Sequence, residues 1–367
     1  MNVKRLICIL MAIVLCFYFI PNIANAEETT YNLFVNGHQF SANQLCIQCG
    51  EGTAEFNPTT NTLTLNNATI DQVYNYDYGV INSLLPQLTI VLKGTNILDG
   101  KNNNDGIDAA GGCNITITGE GTLVTKDIYY GTYIGSYDAP GGDLTIKDTT
   151  ITIPSANCAG LWVNHDINII NSTINILKDN ENYNGIVSNI GGTITIDGGE
   201  VIVETIKSSI HFGNTDDSEH AFVLKKGNVK LTSRDNYGIF VQPVNDTEEV
   251  KGVLEIRGGS LTISSNEGAS NIPTSKIKLS PGFGYSSGTS IVDSGKIVIE
   301  QVEDIDYIKG DLDRNGIVDA NDASIVLEIY KADNALDEDI EIGDMDGNNL
   351  LDANDASLIL ELYKTNN

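Results

Sequence analysis

The sequence predicts a mostly β chain: a parallel β-solenoid followed by a small α-helical module. Three observations carry that prediction. Short strand-like runs recur through the long middle of the chain, at steps of 23 to 35 residues. Glycine-rich or polar turn signals separate them. Near the C-terminus one acidic segment is written twice, each copy running into a helical pattern.

The first 26 residues have the layout of a secretory signal peptide, with Lys4 and Arg5, an apolar run of 15 residues, then Ala24-Asn25-Ala26. That run falls short of the ~20 residues a spanning helix needs. A secreted, extracellular chain beginning near Glu27 is therefore expected, with no membrane span after it. The formal charge is −28, and loss of Lys4 and Arg5 makes it −30. Such a chain repels phosphate backbones and anionic lipid, so nucleic acid is not an expected partner. Cys46 and Cys49 form CIQC, while Cys113 and Cys158 stand apart and the whole chain has four histidines. A local disulfide or a buried thiol pair is expected at CIQC rather than zinc.

Residues 27–300 form the expected solenoid. Leu88, Ile115, Leu144, Ile167, Ile194, Val229 and Leu254 each open an alternating apolar–polar run. Second runs follow at Thr150, Thr173, Glu200 and Ser260, and short strands led by Gly79, Gly106, Gly185 and Gly238 precede others. Three strands and three turns per period in the twenties describe a β-helix. A β-sandwich would space its strands at ~8–12 residues without the longer repeat. Stacked coils sit ~4.8 Å apart, so inward Ile, Leu and Val form ladders.

The opening YNLFVNGHQFSANQL, the segment NTLTLNNATI and the repeated YGI, LTI and GGxxxI units resemble secreted right-handed parallel β-helix domains, of the carbohydrate-binding and pectate-lyase-like kind. The resemblance covers roughly 30–300 and implies polysaccharide binding. Lyases of this shape use Asp-bound calcium and a basic residue, usually Arg, and the only arginines of this region are Arg234 and Arg257. HFGNTDDSEH, residues 211–220, faintly matches the NTD and DD motifs of galacturonan hydrolases, without their GHG and RIK motifs. Asp216 and Asp217 are accordingly expected in a turn, and no catalytic residue is assigned. Aromatic residues gather near the Gly-led strands: Tyr74, Tyr76, Tyr78, Tyr129, Tyr130, Tyr133, Trp162, Tyr183 and Tyr237. They fill turns or stack on sugars, with Tyr78, Tyr133 and Tyr237 the carbohydrate-binding candidates. A polysaccharide lyase or glycoside hydrolase, and a structural spacer or adhesin, are the alternatives.

After a linker at 301–309, GDLDRNGIVDANDASIVLEIYK (from Gly310) and GDMDGNNLLDANDASLILELYK (from Gly343) share 14 of 22 positions. Asp311, Asp313, Asn315, Asp319 and Asp322 fall at loop positions 1, 3, 5, 9 and 12, with the Ile317 carbonyl at 7. Asp344, Asp346, Asn348, Asp352, Asp355 and the Leu350 carbonyl repeat the pattern. Hard Ca2+ takes six to eight oxygens, which this spacing supplies, giving two expected ions. Asn349 replaces Gly316 at the tight turn, as Asn tolerates left-handed backbone. Ala323, Val326, Leu327 and Tyr330, like Ala356, Ile359, Leu360 and Tyr363, are apolar positions at i, i+3, i+4 and i+7, expected on one face of each helix.

Residues 310–367 resemble a type I dockerin, a module that binds cohesin domains of scaffoldins in cellulosomes. The resemblance implies calcium-dependent docking through Ala320, Asn321, Leu327 and Glu328, and through Ala353, Asn354, Leu360 and Glu361. Well-known dockerins often carry Ser-Thr and Lys-Arg at these places, so the cohesin type stays open.

Overall fold

The computed structural model describes residues 28–74, 79–109, 111–135, 142–177, 184–213, 219–243, 250–288, 290–291, 295–302, 308–313, 317–332, 334–335 and 337–366. The expected signal peptide lies outside them, as do Tyr76, Tyr78, Tyr183, Asp216, Asp217 and Asn315. The chain is mostly β, 55% strand and 12% helix, with a β-solenoid of about 7 turns.

Three parallel ladders build the solenoid. The first joins Leu88, Ile115, Leu144, Ile167, Ile194, Phe222, Leu254 and Ile277 in register. The second joins Leu123, Ile151, Ile174, Val201, Val229 and Leu261. The third joins Ile81, Ile107, Thr132, Leu161, Ile186, Ile210 and Ile239. All of them except Ile277 are at most 2% exposed, so each coil stacks its branched side chains on the next in one continuous core.

One register expectation is corrected. Val229 belongs to the second ladder, and Phe222 fills the first-ladder place assigned to it. The segment Phe222-Val223-Leu224 is apolar throughout, so it lacks the alternation that marks its counterparts. Its Val223 faces outward yet is only 8% exposed.

The turn between the first and second ladders sets the coil. Gly94, Gly119, Asp148, Asn171, Gly198, Gly227 and Gly259 all have positive φ there, from 45° to 113°. Glycine adopts this backbone freely, and Asn and Asp tolerate it. Gly259 has a second constraint, because a Cβ would lie 2.1 Å from the Gly227 carbonyl oxygen of the coil before.

Antiparallel strands cover both ends of the stack. Thr30–Val35 pairs with His38–Ser41 and with Gly79–Ser83, and Cys46–Cys49 leads a meander through Gly52–Asn57 and Thr62–Asn66. At the far end Lys296–Gln301 pairs antiparallel with Ser260–Ser265 and Phe283–Ser287. Such caps keep open strand edges from recruiting another chain. The meander also corrects the CIQC expectation. Cys46 and Cys49 stand on opposite faces of one strand, exposed and buried, and both are free thiols. Three residues of strand separate Cα atoms by roughly 10 Å. A disulfide needs about 4.4–6.8 Å.

The C-terminal part is helical: α1 (Ala320–Ala332), α2 (Asp337–Gly343) and α3 (Ala353–Asn366). Ala323, Val326, Leu351, Ala356 and Ile359 form its own small core. Of the residues on the predicted apolar faces, Ala323, Val326, Ala356 and Ile359 are the buried ones. Leu327 and Tyr330 are 45% and 54% exposed, and Tyr363 is 37% exposed. With so small a core the contact stripe is narrow, and α1 turns Ile329 rather than Leu327 toward it. Helix α2 was not expected, because DEDIEIG is short and acidic.

Candidate functional site

Two regions concentrate chemistry-bearing side chains. In the first, each acidic loop folds back on the helix that follows it. Asp311, Asp313 and Asp322 each place one carboxylate oxygen within 4.8 Å of the others, and Asp344, Asp346 and Asp355 do the same. Asp322 and Asp355 are fully buried, and Asp311 and Asp344 are 5% exposed.

The backbone explains how those charges tolerate burial. Asp355 accepts N–H bonds from Met345 (2.8 Å), Asp346 (3.3 Å) and Asp352 (2.8 Å). Asp322 accepts them from Asp313 (3.0 Å) and Asp319 (2.7 Å). Burial pushes Asp344 up, but the N–H groups of Asn349, Gly347 and Asn348 outweigh it and hold its carboxyl below the ordinary range. Asn349 takes φ 63°, the left-handed turn that aims its N–H at Asp344.

Position 9 has a different job. Asp319 and Asp352 accept the N–H of Asn321 and Asn354, each at 2.6 Å, and so cap α1 and α3. Asp322 and Asp355 complete a reciprocal capping box by accepting the Asp319 and Asp352 N–H. The structure thus gathers positions 1, 3 and 12 and leaves position 9 at the helix end. Asn348 accepts the Leu350 N–H at 2.7 Å, and Asn315 lies outside the described residues. The donors are all hard oxygens. Ca2+ takes hard oxygens, so the donor set suits such an ion in kind.

Around these loops, Ala320, Asn321, Leu327, Glu328, Ala353, Asn354 and Glu361 are exposed, whereas Leu360 is half-buried against the small core. The two helices therefore offer unequal surfaces despite their shared spelling.

The second region lies on the outside of the third ladder. Strand alternation turns Asn82, Asp108, Tyr133, Trp162, Val187, His211 and Phe240 outward, one per coil and in register. Tyr133 stacks on Trp162 at 4.5 Å and 14°, and Tyr237 on Phe240 at 6.1 Å and 13°. Tyr133 and Phe240 are four coils apart, roughly 19 Å along the axis. Of the three tyrosine candidates, then, Tyr133 and Tyr237 share a stripe, and Tyr78 lies outside the described residues. Trp162 is only 6% exposed, which makes it a backing for Tyr133 rather than an open platform. Burial pulls His211 down to about 4, with His220 and Lys207 adding, so its ring is neutral at pH 7.

Beside Tyr133 opens a cavity of about 290 Å³, lined by Asn103, Asp105, Asp108, Tyr129, Tyr130 and Tyr133. Asp105 and Asp108 are 6% and 4% exposed. Burial chiefly, helped by the neighbouring Asp108, pushes Asp105 up to about 7, against the Tyr130 N–H that donates to it at 3.1 Å. Neither acid was singled out from sequence. The available signal was their position astride the Gly-led strand at Gly106, one coil before the Tyr129-Tyr130 pair.

Among the described residues no helix is long and apolar enough to cross a membrane. No family model, no curated protein and no solved structure matches this chain.

Proposed function

We propose that this is a secreted component of a cellulosome-type assembly, tethered by its C-terminal module and holding polysaccharide on its β-solenoid. The observation that carries the tether is the gathering, in both loops, of three carboxylates within 4.8 Å around the start of a helix. Asp311, Asp313, Asp322 and the Ile317 carbonyl would hold one Ca2+, and Asp344, Asp346, Asp355 and the Leu350 carbonyl a second. Bound calcium supplies the positive charge that lets these carboxylates converge. The chain's own part is to orient them by backbone N–H bonds and to start α1 and α3 from the loops. Those helices carry the exposed Leu327, Glu328 and Glu361 with which a scaffoldin cohesin would be met.

Affinity capture on a cohesin panel, with calcium and with EDTA, tests the tether. Capture in calcium that EDTA abolishes is expected; capture indifferent to chelator overturns it. For the solenoid, the aromatic stripe ending at Tyr133 and Tyr237 supports non-catalytic binding. Reducing-sugar and unsaturated-product assays on pectin, xylan and starch should show no turnover. Turnover would make it a hydrolase or lyase instead.

A further inference from the structure

We propose that the cavity formed by Asp105, Asp108, Tyr129, Tyr130 and Tyr133 seats one non-acidic sugar unit of the bound polysaccharide. In that seat a sugar hydroxyl donates to the Asp105 carboxylate and a sugar face lies on the Tyr129 ring. This rests on the polysaccharide-binding reading and names its substrate class.

Size comes first. At about 290 Å³ the cavity sits at the lower end of ligand pockets, ~300–1,000 Å³, which suits a single ring rather than a chain segment.

Hydrogen-bond chemistry comes next. An ionised carboxylate only accepts, and has about four lone-pair sites to fill. Asp105 is 6% exposed, yet among the described residues it accepts only the Tyr130 N–H, on Oδ1. Asp105 lines the cavity with that one donor, and burial raises its proton affinity to about 7. Sugar hydroxyls are donors of the right kind.

Charge then selects the class. Among the described residues, no Lys, Arg or His lines the cavity. The lysines of the adjoining strands are committed elsewhere, Lys126 to Asp99 at 3.0 Å and Lys101 to Asp71. A uronate would bring another carboxylate beside Asp105 and Asp108, and like charges in a site shielded from water repel. Neutral hexoses and pentoses escape that cost.

The aromatic wall is also preorganised. Tyr129 is 39% exposed and packs edge-on to Tyr130, at 4.8 Å and 87°. Tyr130 accepts the Cys158 thiol at 3.3 Å and leans on Tyr133, which Trp162 backs. Rings held this way lose little entropy when a ligand arrives.

The test is affinity electrophoresis and calorimetry on the full chain in calcium, with cello-, xylo- and malto-oligosaccharides and with polygalacturonate as probes. Tyr129→Ala and Asp105→Asn are compared with the parent, and far-UV circular dichroism checks that each variant keeps the solenoid. At least one neutral series should bind, and each substitution should weaken it about tenfold or more, with polygalacturonate unbound. Neutral binding that neither substitution touches overturns the cavity assignment while leaving polysaccharide binding intact. Preference for polygalacturonate overturns the substrate class. A parent chain that holds none of the probes overturns the polysaccharide reading itself.

Discussion

The C-terminal loops and the solenoid cavity both bury carboxylates and treat them in opposite ways. In the C-terminal loops Asp344 is ringed by backbone N–H groups that favour its charged form. In the solenoid cavity Asp105 has one such donor, an acidic neighbour in Asp108 and little water, and its neutral form gains. Backbone conformation sets how many donors each acid meets. A tight loop turns successive N–H groups toward one point, whereas a strand spends its N–H groups on the next coil. Asp105 on its strand is left with one such donor, and Asp344 in its loop has three.

The largest expected effect breaks the comparison at the loops. Excess EDTA should unfold α1 and α3 as a separate transition and leave the solenoid melt in place, since calcium at a thousand times its Kd would contribute ~4 kcal/mol per site. Circular dichroism at 222 nm with calorimetry reads this, and a melt unchanged by chelator removes calcium from the account.

Next in size is the pH dependence of Asp105. Its folded value lies above the ordinary 3.8, so its contribution is full below about pH 4 and is lost as pH rises toward 7. The rise to about 7 bounds the loss at ~4 kcal/mol. Urea midpoints at pH 5 and pH 8 should show Asp105→Asn gaining on the parent at the higher pH. Equal midpoints at both would mean that the carboxylate is better solvated than its burial implies.

A smaller effect sharpens the loop side. Asp355→Asn keeps the shape but turns an amide toward backbone donors, leaving one buried N–H without an acceptor, for about 1–3 kcal/mol. The loss should appear in saturating calcium as a lower midpoint of the helical transition, where the Asp355 bonds to Met345, Asp346 and Asp352 are formed. A variant as stable as the parent there would mean that those bonds contribute nothing.

The smallest stability effect is Tyr330→Ala on α1, within about 0.5 kcal/mol because the ring is 54% exposed. A large destabilisation would show that Tyr330 packs against the module.

Most of the fold was legible because its signals are local and repeated. Period-2 alternation located the ladders through Leu88, Ile115 and Leu144, and the Gly-led strands located the third. The reading failed where a local signal was missing or shared. Phe222 lacked alternation, and α2 lacked the apolar content of a helix. Cys46 and Cys49 looked paired until their strand put them on opposite faces. Spacing selected the six carboxylates that converge in the loops, together with the two at position 9 that cap the helices instead.

By itself the sequence determined the β repeat, its turns and the doubled acidic loop, since each depends on neighbours a few residues apart. Only the tertiary structure decided the coil register. That register stacks Asp108, Tyr133 and Trp162 from three successive coils on one face. The cavity between Asp105 and Tyr129 exists only there, because residues some 25 positions apart become neighbours only when one coil settles on the next.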